Sequence, residues 1–386
     1  MRELVDAQRV IDLTSALVAV DTHNPPGNER EVAGIIRDAL DRSKPTWTEI
    51  EPEPGRLSLI AALPHPDGPG PRPTLLINGH LDVVPVRADQ WDTDPFTPTL
   101  IDGRLYGRGT ADMKGGVAAA ICALDVLERA GNVPACDVVF HFVADEEVGG
   151  GLGTQVLLEA GLIKGDACLV PEPTGLGVCI AERGMLQSHV TVHGIPAHGS
   201  RPHEGVSAIA HAATITLALQ GADFGGSAHP MLGKPSVNVG TVVGGSGINT
   251  VAESCRLGVD RRILPGATEE STVDELRARI EAAGPDGLRY DLDVLMFAEA
   301  SELGADDAWV GTVRDAVMAA TGDVPPTIGM TFTTDARFVR NQAGIPTVVC
   351  GPGEIAQAHT SNEWVSIDQL ADATAAYAHL IASYGR

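Results

Sequence analysis

The sequence predicts an α/β protein, a mixed and mainly parallel sheet between helices, interrupted by an inserted ferredoxin-like α+β domain. Three observations carry this. Short continuous apolar runs (57–63, 74–78, 138–143, 167–170) alternate with segments of helical period (115–129, 153–160), the pattern of strands buried on both faces. Between 182 and 294 the order changes to β-α-β-β-α-β, a ferredoxin-like unit that can fold compactly. After Ser301 the helix–strand alternation resumes. The expected organisation is a large domain made of 1–181 and 295–386, with 182–294 inserted as a smaller one. A length of 386 residues suits two domains at roughly 150 residues each.

Taken in order, Val10, Leu13, Leu17 and Val20 give residues 3–20 one apolar helical face, which Asn24-Pro25-Pro26-Gly27 ends. A second helical pattern covers 29–40. Within the insertion, strands are expected at 186–192, 236–243, 254–259 and 289–295, with helices at 205–219 and 268–282. The C-terminal part adds helices at 309–320 and 367–383 around a strand at 347–350. No repeat or low-complexity tract breaks this order.

Composition narrows the function. Apolar residues make up 44% of the chain, enough for a sizeable core, which excludes disorder. A net charge of −24 repels phosphate backbones and anionic membranes, so neither nucleic acid nor membrane is an expected partner. The N-terminus lacks the pattern of a signal peptide, and no apolar stretch approaches the roughly 20 residues that span a bilayer. The six cysteines lie in largely apolar surroundings without a Cys-x-x-Cys, so they read as buried thiols of a cytoplasmic protein.

Charged residues gather where strands end. The run 75–79 delivers His80 and Asp82, 139–144 delivers Asp145-Glu146-Glu147, 167–171 delivers Glu172, and 346–350 precedes the loop holding His359. Ligands of open α/β sheets bind at the carboxyl ends of the strands, so these groups face a common crevice. Their repulsion calls for a cation, and mixed His/Asp/Glu ligation suits zinc or a similar divalent ion. His80-x-Asp82 places both side chains on one side of an extended segment, where Asp82 can hold the far imidazole nitrogen. The stretch 107–116, with Asp112, resembles a phosphate loop but lacks its Gly-Lys-Ser/Thr ending. Of the adjacent Glu146 and Glu147, one can ligate and the other act as base, and spacing alone leaves open which.

Five motifs then occur in order: His80-Leu81-Asp82-Val83-Val84-Pro85, the segment from Gly107 to Gly116, Asp145-Glu146-Glu147-Val148-Gly149, Glu172-Pro173-Thr174 and His359. Together they resemble the acetylornithine deacetylase / succinyl-diaminopimelate desuccinylase family of dinuclear zinc amidohydrolases, over essentially the whole chain. The resemblance implies a zinc-peptidase-like catalytic domain with an inserted lid and dimerisation domain. It implies two divalent ions per chain, zinc with cobalt as an alternative, Asp112 bridging them. His80 and Glu172 complete one site, Glu147 and His359 the other. Glu146 becomes the general base, Asp82 orients His80, and a cis peptide follows Asp112. In the insertion, Gly194–Ser200, Gly247-Ile248-Asn249 and Asp260-Arg261-Arg262 are similar to the family's lid motifs. There His198 completes an oxyanion site across a homodimer, while Asn249 and Arg262 grip a substrate carboxylate.

The implied reaction is hydrolysis of the amide of a small N-acyl amino acid. Dipeptide or carboxypeptidase-type hydrolysis is the alternative within enzymes, and a non-catalytic dimeric binding protein is the alternative outside them. The segment 329–337 matches the family's pocket at Gly329 and at Thr334 to Arg337, but carries Met330 and Phe332 where many relatives have small residues. The acyl group is therefore left open. His141, in mid-strand, and His379, in the last helix, read as structural. His23, His65, His189, His193, His203, His211 and His229 have no partner motif.

Overall fold

The structure, a computed structural model, describes residues 1–386. Its main elements in chain order are α1 (Ala7–Val18), α2 (Ala33–Leu40), β1 (Thr46–Ile50), β2 (Ser58–Ala62), β3 (Thr74–His80), α3 (Lys114–Arg129) and β4 (Asp137–Val143). There follow α4 (Thr154–Glu159), β5 (Ala167–Pro173), β6 (Val178–Glu182), β7 (Gly184–His193), α5 (Ala208–Leu219), β8 (Ser236–Gly244) and β9 (Ser254–Ile263). The chain closes with α6 (Glu269–Ala283), β10 (Arg289–Ala298), α7 (Ala308–Thr321), β11 (Thr347–Gly351) and α8 (Ile367–Ser383). No helix is long and apolar enough to cross a membrane.

Contacts divide the chain into two units, Met1–Ile180 with Leu303–Ile328 and Thr334–Arg386, and Ala181–Glu302 with Gly329–Thr333. The boundary expected at 294 falls inside β10, which pairs with β7 as far as Ala298. The pocket segment 329–333 also groups with the second unit, because the Met330 carbonyl accepts the Arg183 N–H (3.0 Å) and Gly329 lies against Leu232.

In the first unit the sheet runs β1-β2-β4-β3-β5-β11-β6. Its centre is parallel, β4 beside β3, β3 beside β5 and β5 beside β11, while the outer pairs are antiparallel. All seven residues of β5 and all five of β11 are buried, the two-faced burial that continuous apolar strands demand. The helix α3 lies close to the sheet because it begins Lys114-Gly115-Gly116. A Cβ on Gly116 would stand 2.0 Å from the Pro171 carbonyl oxygen, and one on Gly115 would stand 2.2 Å from that of Thr110. Those glycines thus serve packing. The six cysteines are all free and buried, and burial pushes the thiols of Cys122, Cys136, Cys168 and Cys350 up to about 12.

The second unit is a four-stranded antiparallel sheet in the order β8-β9-β7-β10, packed against α5 and α6. Alternate residues of β7 and of β9 are buried, and Leu186, Val190, Leu257, Ile215, Leu276 and Ile280 fill the core between sheet and helices. The helix expected from Gly205 starts at Ala208, where the Ser207 hydroxyl accepts the Ala210 N–H (3.2 Å) as an N-cap.

Candidate metal centre

Because β3, β4, β5 and β11 run in one direction, their carboxyl ends share one edge of the sheet. That edge receives His80 as the last residue of β3, Glu172 near the end of β5, and the Asp145–Glu147 turn after β4. His359 comes from the loop after β11. Asp112 arrives from the loop before α3, and its peptide bond to Met113 is cis, as the resemblance implies.

These side chains converge as two triads sharing Asp112. Nε2 of His80 lies 3.0 Å from Oδ1 of Asp112 and 3.4 Å from Oε1 of Glu172. Nε2 of His359 lies 3.3 Å from the other Asp112 oxygen and 3.0 Å from Oε2 of Glu147. Within each triad the potential ligand atoms all lie within 4.8 Å of one another. Each oxygen of Asp112 therefore faces a different imidazole.

The electrostatics fit a cation there. No lysine or arginine forms an ion pair with any of the five groups. Burial, then the charge of Asp112, pushes the carboxyls of Glu172 and Glu147 upward. Asp112 itself is held low against the cost of burial by hydrogen bonds with His359 and His80. Contacts with Asp112 and then Glu147 push His359 up to about 11. Three crowded carboxylates with only imidazoles to neutralise them, offering nitrogen and oxygen donors, match what a zinc-type divalent ion accepts.

A model of peptidase family M20/M25/M40 matches residues 76–383. The chain belongs to that family. It is a hydrolase of amide or peptide bonds, in a metal-dependent family. The chain is similar to the succinyl-diaminopimelate desuccinylase of Methylorubrum populi, 33% identical over 324 residues, covering 81% of this chain and 82% of that protein. It is also 31% identical over 377 residues to the acetylornithine deacetylase of Proteus mirabilis, covering 94% and 92% respectively. In fold it is similar to the crystal structure of aminopeptidase PepT from Bacillus cereus, with a TM-score of 0.83 at 21% identity over 99% of this chain and 100% of that one.

In this M20-family site the two glutamates of the turn part company. Glu147 reaches His359. Glu146 is half-buried, and desolvation pushes its carboxyl well up, against the pull of His80 and with the charges of Glu172, Asp335 and Glu147. His80 donates from Nδ1 to the main-chain carbonyl of Asp82 (2.9 Å), with that residue's Oδ1 at 3.5 Å. Nδ1 of His80 is thus held at the Asp82 backbone with the carboxylate of the same residue close by. The Asp82 carboxylate instead accepts Nδ2 of Asn24 (2.8 Å) and the main-chain N–H groups of Glu146 and Glu147 (3.2 Å each).

The glycine-rich loop before α3 does cradle an anion, but the anion is the protein's own. The buried carboxylate of Glu363 accepts N–H groups from Gly109 (3.1 Å), Ala111 (2.9 Å) and Asp112 (3.1 Å), and the Arg108 guanidinium (2.6 Å). Sequence reasoning missed Glu363, because nothing in Asn362-Glu363-Trp364 marks it as a loop anchor more than 250 residues away. Asn24, Glu29 and Arg56 were missed for the same reason.

The lid-type residues are found in the second unit. His198 is exposed, and its Nδ1 lies 2.8 Å from the Ser200 hydroxyl. Its loop is bound to that of Asn249 through Gly199 N–H to the Asn249 carbonyl (2.7 Å) and a bridge from His198 to Thr250. Arg262 lies towards the far end of β9, roughly 26 Å of extended strand from Ser254. Arg262 donates to both oxygens of Asp260 (2.7 and 3.1 Å), whereas Arg261 is buried, bound to Glu275 (2.9 Å) and 3.8 Å from the Phe224 ring centroid. Strand alternation separates the two arginines, one into the core and one onto the open face. Among the other histidines, His141 is fully buried with neither ring nitrogen bonded, and burial pushes it down to about 4. His193 and His229 pair with Asp291 (2.7 Å) and Glu302 (3.0 Å).

Proposed function

We propose that this chain hydrolyses the amide bond of a small N-acyl amino acid, using two divalent ions, zinc or alternatively cobalt, in the cytoplasm. The observation that carries the reading is the pair of triads sharing Asp112 beside Glu146, a carboxylate outside both. His80, Asp112 and Glu172 would hold one ion, and Asp112, Glu147 and His359 the other. When bound, such ions acidify water and polarise the amide carbonyl. Glu146 takes the proton of the attacking water and hands it to the leaving amine, a task suited to a carboxyl whose proton affinity burial has raised. Asp82 keeps His80 turned so that Nε2 faces Asp112 and Glu172. The names of the relatives above 30% identity favour an acylated amino acid over a dipeptide.

A chelator should abolish turnover, and zinc or cobalt should restore it. The metal-loaded enzyme should then hydrolyse at least one of a panel of acetyl, succinyl and formyl amino acids faster than any dipeptide. Preference for dipeptides across the panel would replace the substrate assignment. Absence of metal-dependent turnover on every substrate would favour the non-catalytic binding protein.

A homodimer through the second unit belongs to the same proposal. The edge strand β8 exposes Val242 and Val243, and α5 exposes Ile209 and Leu217, an apolar surface of the kind that a partner covers. In a dimer His198 would donate to the developing oxyanion of the partner's substrate. Asn249 and Arg262 would hold the substrate carboxylate. His198→Ala should mainly lower kcat, since a donor aimed at an oxyanion is worth about 2.7–4 kcal/mol. Arg262→Ala should mainly raise KM. Mixing inactive His198→Ala with inactive Glu146→Gln chains should regain activity, because one site of each mixed dimer is intact. No recovery after verified subunit exchange would show that His198 does not act across the interface.

A further inference from the structure

Behind the Asp145–Glu147 turn lies a buried ionic cluster that no ligand role explains. Arg56, Glu29, Asn24, Asp82 and Asp145 are each at most 7% exposed. The Arg56 guanidinium grips Glu29 with two bonds, Nε to Oε2 (2.9 Å) and Nη2 to Oε1 (2.8 Å). The same Nη2 donates to Oδ1 of Asp145 (2.8 Å), while Nη1 reaches the Asn24 side-chain oxygen (3.4 Å) and the Pro26 carbonyl (3.2 Å). All three guanidinium nitrogens are engaged. The turn at Gly27 closes over this group so tightly that a Cβ there would stand 2.4 Å from Nε.

The cluster holds Asp145 from every side. Its N–H donates to Glu29 (3.3 Å), its Oδ2 accepts Leu152 N–H (2.9 Å), and its carbonyl accepts Gly150 N–H (2.7 Å). These bonds sustain a left-handed backbone, φ +73°, a conformation that aspartate tolerates better than most residues with a Cβ and that local hydrogen bonds stabilise. That conformation turns the next two N–H groups onto the two oxygens of Asp82, one from Glu146 and one from Glu147. The Asn24 amide closes the circuit, donating to Asp82 (2.8 Å) and to Asp145 (3.2 Å). Two buried carboxylates, Glu29 and Asp145, are thereby fixed on one guanidinium, and a third, Asp82, is tied to them through Asn24.

We propose that Arg56, with Glu29 and Asn24, is a positioning unit that sets the Asp145–Glu147 turn against Asp82 and so aims the Glu146 carboxylate. The inference rests on the reading of Glu146 as the general base. Lysine has a point charge where this site uses a planar fork, so Arg56→Lys keeps the charge and loses the geometry. A catalytic group displaced by about 1 Å can cost roughly 10²-fold.

The test is a double-mutant cycle on metal-loaded protein. Arg56→Lys should lower kcat about 10- to 100-fold with KM changed less than about threefold. In the Glu146→Gln background the same substitution should add less than about a twofold loss, because there is no base left to aim. A purely structural role would lower the melting temperature and leave kcat of the folded, metal-loaded fraction unchanged. Retained kcat in Arg56→Lys, or its full loss repeated on top of Glu146→Gln, overturns the proposal. Should Arg56→Lys not fold, the same two measurements on Asn24→Ser, which removes the donor to Asp82 and Asp145, decide it by the same criteria. Wild-type turnover by Glu146→Gln alone would refute the base itself, an outcome distinct from additivity.

Discussion

Glu146→Gln is expected to bind metal as the wild type does and to turn over about 10²–10⁴-fold more slowly, or worse, an added barrier of roughly 2.7–5.4 kcal/mol. The amide has the shape of the carboxylate but cannot take a proton from water. The main-chain N–H of residue 146 still reaches Asp82, so the turn keeps its form. Glu147→Gln should behave differently, because that side chain belongs to the triad with Asp112 and His359. Its metal content should fall, and excess metal should restore part of the rate. Metal analysis beside kcat on both purified variants separates the two. Equal metal loss in both would reverse the division of labour between the glutamates.

Asp112→Ala should lose most of the metal from both sites and nearly all activity. The two oxygens of Asp112 face different imidazoles, His80 at 3.0 Å and His359 at 3.3 Å, so a single truncation empties a donor position in each triad. Glu172→Ala, by contrast, removes a donor from one triad only, and should spare the ion between Glu147 and His359. Protein prepared with zinc should approach two ions per wild-type chain and far less than one per Asp112→Ala chain. A wild type that saturates at one ion with full activity would remove the bridging role from Asp112.

Much of the fold could be read from local pattern. The strands β3, β4, β5 and β11 are short, apolar and buried on both faces, and α3 and α8 carry long runs of buried positions. These elements owe their burial to their own composition. Others were not legible, among them β6. The edge strand β1, Thr46-Trp47-Thr48-Glu49-Ile50, is half exposed and offers no clean alternation. Residues 29–32, expected to begin a helix, form a 3-10 turn whose Glu29 side chain is drawn into the Arg56 cluster.

The sequence by itself placed His80, Glu147 and Glu172 of the candidate metal centre, and Glu146 beside it, at one edge of the sheet, because they end or follow apolar strands and parallel strands must bring their carboxyl ends together. It likewise determined the change from an α/β pattern to a β-α-β-β-α-β one. Only the tertiary structure decided that Glu363 anchors the Asp112 loop, that Asn24 joins Asp82 to Asp145, and that Arg261 is buried while Arg262 stays on the open face. Each of those depends on partners far apart in the chain or on the register of a sheet. The physical reason is common to all three. Burial makes an unpaired charge or polar group costly, so which distant group satisfies it is settled by packing, and packing leaves no trace in local periodicity.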